Sequence, residues 1–208
     1  MSKSCTTSKN LYENVEHCPG QINLPGVRDH FYIIRKRDIL KWPKLPLEAA
    51  ESLDKVAVYV GDFTLAADAK WRRVDLVPSE SEPKSEQAGS WGAFYFNNTV
   101  NLVLPGVGPK VTGLITAMNN DDIVAAVPQR DGQIRLFGDP AFNTTVKPSQ
   151  TWGKGSNDAN TTGIEIACGS MAAAPFYPGK IETDGGDISG ATDELVSAAP
   201  KPGGSESH

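Results

Sequence analysis

The residues able to do chemistry are few and scattered. There are three histidines, His17, His30 and His208. His17 lies in a polar stretch and His208 is the last residue. His30 alternates with Phe31 in an aromatic, β-branched run. A Ser-His-Asp relay would have to use His30, and no Gly-X-Ser-X-Gly elbow accompanies it. Cys168-Gly169-Ser170 matches a fragment of a cysteine-protease signature, but the flanking residues do not fit it. Its plainer reading is a small buried cysteine at a strand end. Asp121-Asp122 and the pair Asp184 and Asp187 are acidic sites beside Asn or Gly. Neither has the twelve-residue calcium-loop spacing with its closing Glu. His17-Cys18 lacks a second pair at zinc spacing. Gly106-X-Gly108 lacks the third Gly and the Lys of a phosphate-cradling loop. The expectation is no catalytic, cofactor-binding or metal-ligating set, and hence no enzyme.

Two features point to contacts instead. Arg35-Lys36-Arg37 is a short basic run after a strand, read as a solvated strand end or an intersubunit salt bridge. Trp42, Trp71, Trp91 and Trp152 each fall near a predicted element end. Core packing is the ordinary role for each. Several exposed together would mark an interface, where Trp is enriched.

The elements that would position these residues are mostly strands. Residues 27–35 are aromatic and β-branched, a good first strand. Residues 38–42 read as a short helical turn stopped by Pro43 and Pro46. Residues 56–60 (VAVYV) read as a buried strand leading into residues 63–65. Residues 71–77 alternate apolar and charged side chains with the period of a half-buried strand. Residues 78–90 (PSESEPKSEQAGS) have no pattern and read as a long polar loop. Residues 91–104 form the longest β-like run. Residues 109–119 are the best helix, with Val111, Leu114, Ile115 and Met118 on one face. Residues 123–127 and 133–137 flank Arg130-Asp131-Gly132, a hairpin signal. Residues 144–152 and 162–168 make a second pair around a Gly/Asn-rich loop at 153–160. The predicted class is mainly β: a sandwich or barrel with one flanking helix, a long loop and extended termini.

Composition agrees. Among 208 residues, 20 Gly and 15 Pro make up about a sixth of the chain, which favours short strands and turns. From Glu182 onward there are six acids and one base, so that segment carries the whole net charge of −5. The remainder is neutral and offers no global field to nucleic acid or to an acidic membrane. Cys5, Cys18 and Cys168 are too few for a disulfide framework. The first thirty residues hold no apolar run, so no secretory leader is expected. No segment has the roughly 20 apolar residues that span a bilayer. Sequons at Asn97, Asn143 and Asn160 then read as chance. Three regions are expected: an N-terminal arm at 1–20, a β-rich domain at 21–182, and an acidic flexible tail at 183–208.

Several short runs carry a resemblance. They are His17-Cys18-Pro19-Gly20, Leu24-Pro25-Gly26-Val27-Arg28, Tyr32-Ile33-Ile34 and Asp38-Ile39-Leu40-Lys41-Trp42-Pro43. Further along come residues 119–124 (NNDDIV), Gln129-Arg130-Asp131-Gly132 and Ala174-Pro175-Phe176-Tyr177-Pro178-Gly179. Together they resemble the major tail (tube) proteins of phages and prophages of Bacteroidetes-type bacteria, over residues 11 to 181. The resemblance implies a virion structural protein assembled in the bacterial host cytoplasm. It implies a homo-oligomeric ring, commonly sixfold, stacked on further rings and on other tail proteins. DNA would be a transient, non-specific cargo of the lumen. The resemblance brings no catalytic residues and no cofactor. The 78–90 loop and the N-terminal arm would make the ring-to-ring contacts. A head-decoration or head–tail joining protein, and a carbohydrate-binding β-sandwich module, are the alternatives.

Overall fold

The computed structural model describes residues 12–16, 19–20, 24–153 and 160–189. In chain order the strands are β1 (His30–Arg35), β2 (Ile39–Lys41), β3 (Thr64–Leu65), β4 (Arg72–Asp75), β5 (Glu82–Ser90) and β6 (Ala93–Pro105). The one α-helix among the described residues, α1 (Pro109–Met118), comes next. Then come β7 (Ile123–Pro128), β8 (Ile134–Phe137), β9 (Thr144–Thr151), β10 (Thr161–Ser170), β11 (Lys180–Thr183) and β12 (Gly186–Ser189).

The expected mainly-β class with one flanking helix is what the chain adopts. Two four-stranded antiparallel sheets, in the orders β4-β1-β7-β8 and β5-β6-β10-β9, form a sandwich, and neither closes into a barrel. Strand β10 shows the cause. Thr162, Ile164, Ile166, Cys168 and Ser170 are buried, and the residues between them are half-exposed, the period-two pattern of a strand with one face on a core. Ile164 and Ile166, with Val100, Leu102 and Leu104 of β6, share one core with Phe31, Ile33, Ala125 and Val127 of the facing sheet. The apolar side of α1 (Val111, Leu114, Ile115, Met118) packs against the margin of that core.

The first sheet is covered on its other face too. Tyr32, Ile34, Val124, Ala126 and Leu136 contact Tyr59, Phe63, Trp71, Tyr177 and Ile181, which come from loops and from the β11–β12 hairpin. Burial from both sides explains why all six residues of β7 are buried. It also explains their composition, Ile-Val-Ala-Ala-Val-Pro, with no alternation.

Both expected hairpins form: β7 pairs β8 across Asp131-Gly132, and β9 pairs β10. Four expectations are corrected. Residues 78–90 are no loop: a 3-10 turn at Pro78–Glu80 leads into the nine-residue β5, paired along its length with β6. Its weak intrinsic preference is overridden because β6 offers a ready ladder. Residues 56–60 are no regular strand. They come after a 3-10 turn at Leu53–Lys55 and make isolated bridges to Lys44 and Phe176, with Tyr59 as the buried anchor. The turn expected at 38–42 is displaced, a 3-10 turn at Lys36–Asp38 preceding β2. Finally, the boundary at 183 falls inside a hairpin, since Lys180–Thr183 pairs with Gly186–Ser189. Of the N-terminal arm, residues 12–16 and 19–20 are described and exposed. The rest of it, residues 154–159 of the Gly/Asn-rich loop, and the tail from 190 lie outside the described residues.

Candidate functional site

Among the described residues the chemically capable groups do not converge. His30, nearly buried, holds Asp29 through Nδ1 at 2.7 Å and meets the edge of the Tyr32 ring. This hydrogen bond with His30 holds the Asp29 carboxyl below its usual range. Cys168 is on β10, in the other sheet, beside Thr144. Burial pushes its thiol up to about 11, so it stays protonated and is a poor nucleophile at neutral pH. Ser170 donates to buried Asp139 at 3.1 Å, and Asp139 also accepts from the Ala141 N–H at 2.8 Å. Among the described residues no imidazole stands between them to act as base. His17, Cys18, Cys5 and His208 lie outside the described residues. Among the described residues no group of three His, Cys, Asp or Glu could hold a metal ion, and no helix is long and apolar enough to cross a membrane.

The basic run and the acidic pair, separate in the sequence, meet in the fold. Arg35 and Arg37 reach Asp121 at 3.3 and 3.6 Å, and Lys36 reaches Asp122 at 3.3 Å. Lys36 also donates to the Phe142 carbonyl at 2.7 Å, and Asp122 accepts from the Thr144 N–H at 2.9 Å. The run is therefore spent within the chain, joining the ends of β1, β7 and β9. The second acidic pair behaves alike: Asp184 meets Arg72 and Lys70, and Asp187 meets Lys180. Gly108 caps α1, with Pro109 at its first position.

The tryptophans divide. Trp71 is buried, and Trp42 packs edge-on against Phe63. Trp91 is 93% exposed and Trp152 is 70% exposed. Strand β10 pairs with β6 only from Phe96 to Pro105, so the end of the β5–β6 hairpin, residues 88–95, extends past its neighbour. Trp91 and Gly92 form its turn, where Gly92 takes the positive φ of +85° that side chains resist. Phe94, 43% exposed, stands edge-on to Trp91 at 6.5 Å, and Met171 is exposed just beyond the end of β10. Behind them Tyr95 stacks on Phe142 at 5.5 Å. Trp152 lies beyond Thr151, which pairs through Thr161 to Pro105, at the opposite end of the same sheet. Nine strand steps at roughly 3.3 Å each put these ends about 30 Å apart.

The long edges of this sheet are blunted. β5 carries Pro83, Lys84 and Glu86, and β9 carries Lys147 and Pro148. Charge and proline are what natural sheets use to stop edge-to-edge growth. Within this sheet the exposed large apolar side chains are thus at its two ends; outside it, Leu24, Leu40 and Val60 are exposed as well. The spread of exposed aromatics depends on the β5–β6 hairpin, which is hidden in the sequence because β5 has the composition of a loop.

The chain matches no protein-family model, and neither a curated protein nor a solved structure shows significant similarity to it.

Proposed function

We propose that this chain is a structural subunit of a bacteriophage tail tube, whose copies close into rings that stack around a channel for DNA. The observation that carries the reading is the exposure of large apolar side chains at opposite ends of one sheet, Trp91 with Phe94 and Met171 at one end and Trp152 alone at the other. Contact between two different ends of a subunit is head-to-tail, and such contacts propagate. An exposed cluster of large apolar side chains marks an interface rather than a solvated surface. The hairpin end is the natural reach to the next subunit, in place of the loop expected from sequence.

The remaining supports are the resemblance of the short runs to tail-tube proteins and the charge. Outside the acidic end, acids and bases balance. A channel that passes DNA must not hold its phosphates, because each contact strengthens binding. Virion localisation, with assembly in the host cytoplasm and other tail proteins as partners, belongs to the same proposal.

The test is electron microscopy of the concentrated protein beside a variant in which residues 88–95 are replaced by Asn-Gly. Gln87 and Phe96 face each other directly, so a two-residue turn closes the shortened hairpin. The full chain should give stacked rings with an open lumen. The shortened chain should fold but not stack. Unaltered tubes from the shortened chain would refute the role of the hairpin.

A further inference from the structure

Strand β4 is an edge strand with a gap in its ladder. The Leu76 N–H donates to Asp29, which precedes β1, at 2.8 Å, so even-numbered residues of β4 turn their backbone groups toward β1. Odd-numbered residues turn theirs outward. The Trp71 N–H donates to the Glu182 carbonyl at 2.9 Å, and the Val77 N–H to the Val103 carbonyl at 2.6 Å. Between these two points, the outward N–H and C=O of Arg73 and Asp75 have no backbone partner among the described residues.

A groove of about 820 Å³ runs along this gap. Val111 and Leu114 of α1, with Leu104, form one wall, and Ile188 and the turn at Asp184-Gly185 form the other. Its rim is cationic. Arg72, Arg73 and Lys110 stand there against Asp75 and Asp184. Arg72 and Lys70 share Asp184, Arg73 holds Asp75, and Lys110 has no ion-pair partner among the described residues.

The geometry points to residues 193–197 of the same chain as the strand that fills this gap. The described chain ends at Ser189, three residues past Gly186, and the β11–β12 turn is at the groove. Residues 190–192 (Gly-Ala-Thr) are three more, enough to lead back over the same distance, about 10 Å. A chain returning that way runs parallel to β4, the sense in which Thr183 already bridges Trp71. The next five residues are Asp193-Glu194-Leu195-Val196-Ser197. Their two carboxylates are opposite in sign to the rim, where three cations stand against two anions. Leu195 and Val196 are adjacent, so in a strand they face opposite sides, one toward the Val111–Leu114 wall and one toward Ile188. Backbone pairing supplies the affinity and the two flanking side chains the register, as in strand addition.

Amide hydrogen exchange on the full chain, at concentrations where it is monomeric, tests this. The Arg73 and Asp75 amides should exchange roughly tenfold or more slowly than in a chain ending at Ser189. The full-length double variant L195D/V196D should match the shortened chain. The Leu76 amide, bonded to Asp29, should be unchanged in all three. Equal exchange at Arg73 and Asp75 in all three proteins overturns the proposal. Protection that appears only as concentration rises also overturns it, since the strand would then come from a neighbouring copy.

Discussion

Trp91 and Trp152, both in water, occupy opposite ends of the β5-β6-β10-β9 sheet, separated along its strands by more than the length of the β6–β10 ladder. Neither supports the core. Trp91 touches the chain mainly through Phe94, with ring centres 6.5 Å apart. If they serve contacts between copies, removing either should disconnect assembly from stability.

Trp91→Ser and Trp152→Ser should each weaken self-association at least tenfold while leaving folding stability within about 0.5 kcal/mol, the usual range for exposed positions. Sedimentation velocity reads the first quantity and urea unfolding the second. A variant that loses both together would show that the residue is structural.

Ile166 is fully buried at the centre of the sandwich. Ile166→Ala should cost about 2–5 kcal/mol through lost transfer energy and the cavity left behind. Urea unfolding gives the value, and a loss below about 1 kcal/mol would mean that the two sheets do not share a packed core at this point.

Asp122 ties three segments through Lys36 and the Thr144 N–H. Asp122→Ala leaves that N–H and a mostly buried ammonium short of a partner. The expected loss is about 1–3 kcal/mol. Asp122→Asn keeps an acceptor for Thr144 and should recover part of it in the same unfolding assay.

Burial raises the ionisation of three acids above their free values: Cys168 up to about 11, and the phenols of Tyr59 and Tyr177 further still. In the unfolded chain the thiol ionises near 9.0 and the phenols near 10.0. Above those values the unfolded state binds fewer protons than the folded one, so stability is full below about pH 9 and falls as pH rises. Each withheld proton adds about 1.4 kcal/mol per pH unit to the slope. Cys168→Ala should flatten the decline between pH 9 and 11 in urea unfolding. In a C5S/C18S background, the remaining thiol should react with a thiol reagent only upon unfolding.

Local periodicity made much of this fold readable. The helix face of Val111, Leu114, Ile115 and Met118 meets the core as spaced, and Asp131-Gly132 turns the β7–β8 hairpin. What stayed hidden depends on neighbours distant in sequence. Glu82–Ser90 has the composition of a loop and becomes a strand because β6 is beside it. Val56 and Val60 look like strand residues, yet Tyr59 alone is drawn into the layer over the first sheet. The Arg35–Arg37 run and Asp121-Asp122 are over eighty residues apart, so no spacing rule links them. One signal was present and overridden: Asp184-Gly185 resembles Asp131-Gly132, but the polar composition around it suggested a flexible tail.

Mass against concentration tests the assembly account most directly. Sedimentation equilibrium of the full chain, from dilute to concentrated, should show the 22.3 kDa subunit giving way to a closed ring and then to larger multiples of that ring. A single 22.3 kDa species across the whole range would contradict it.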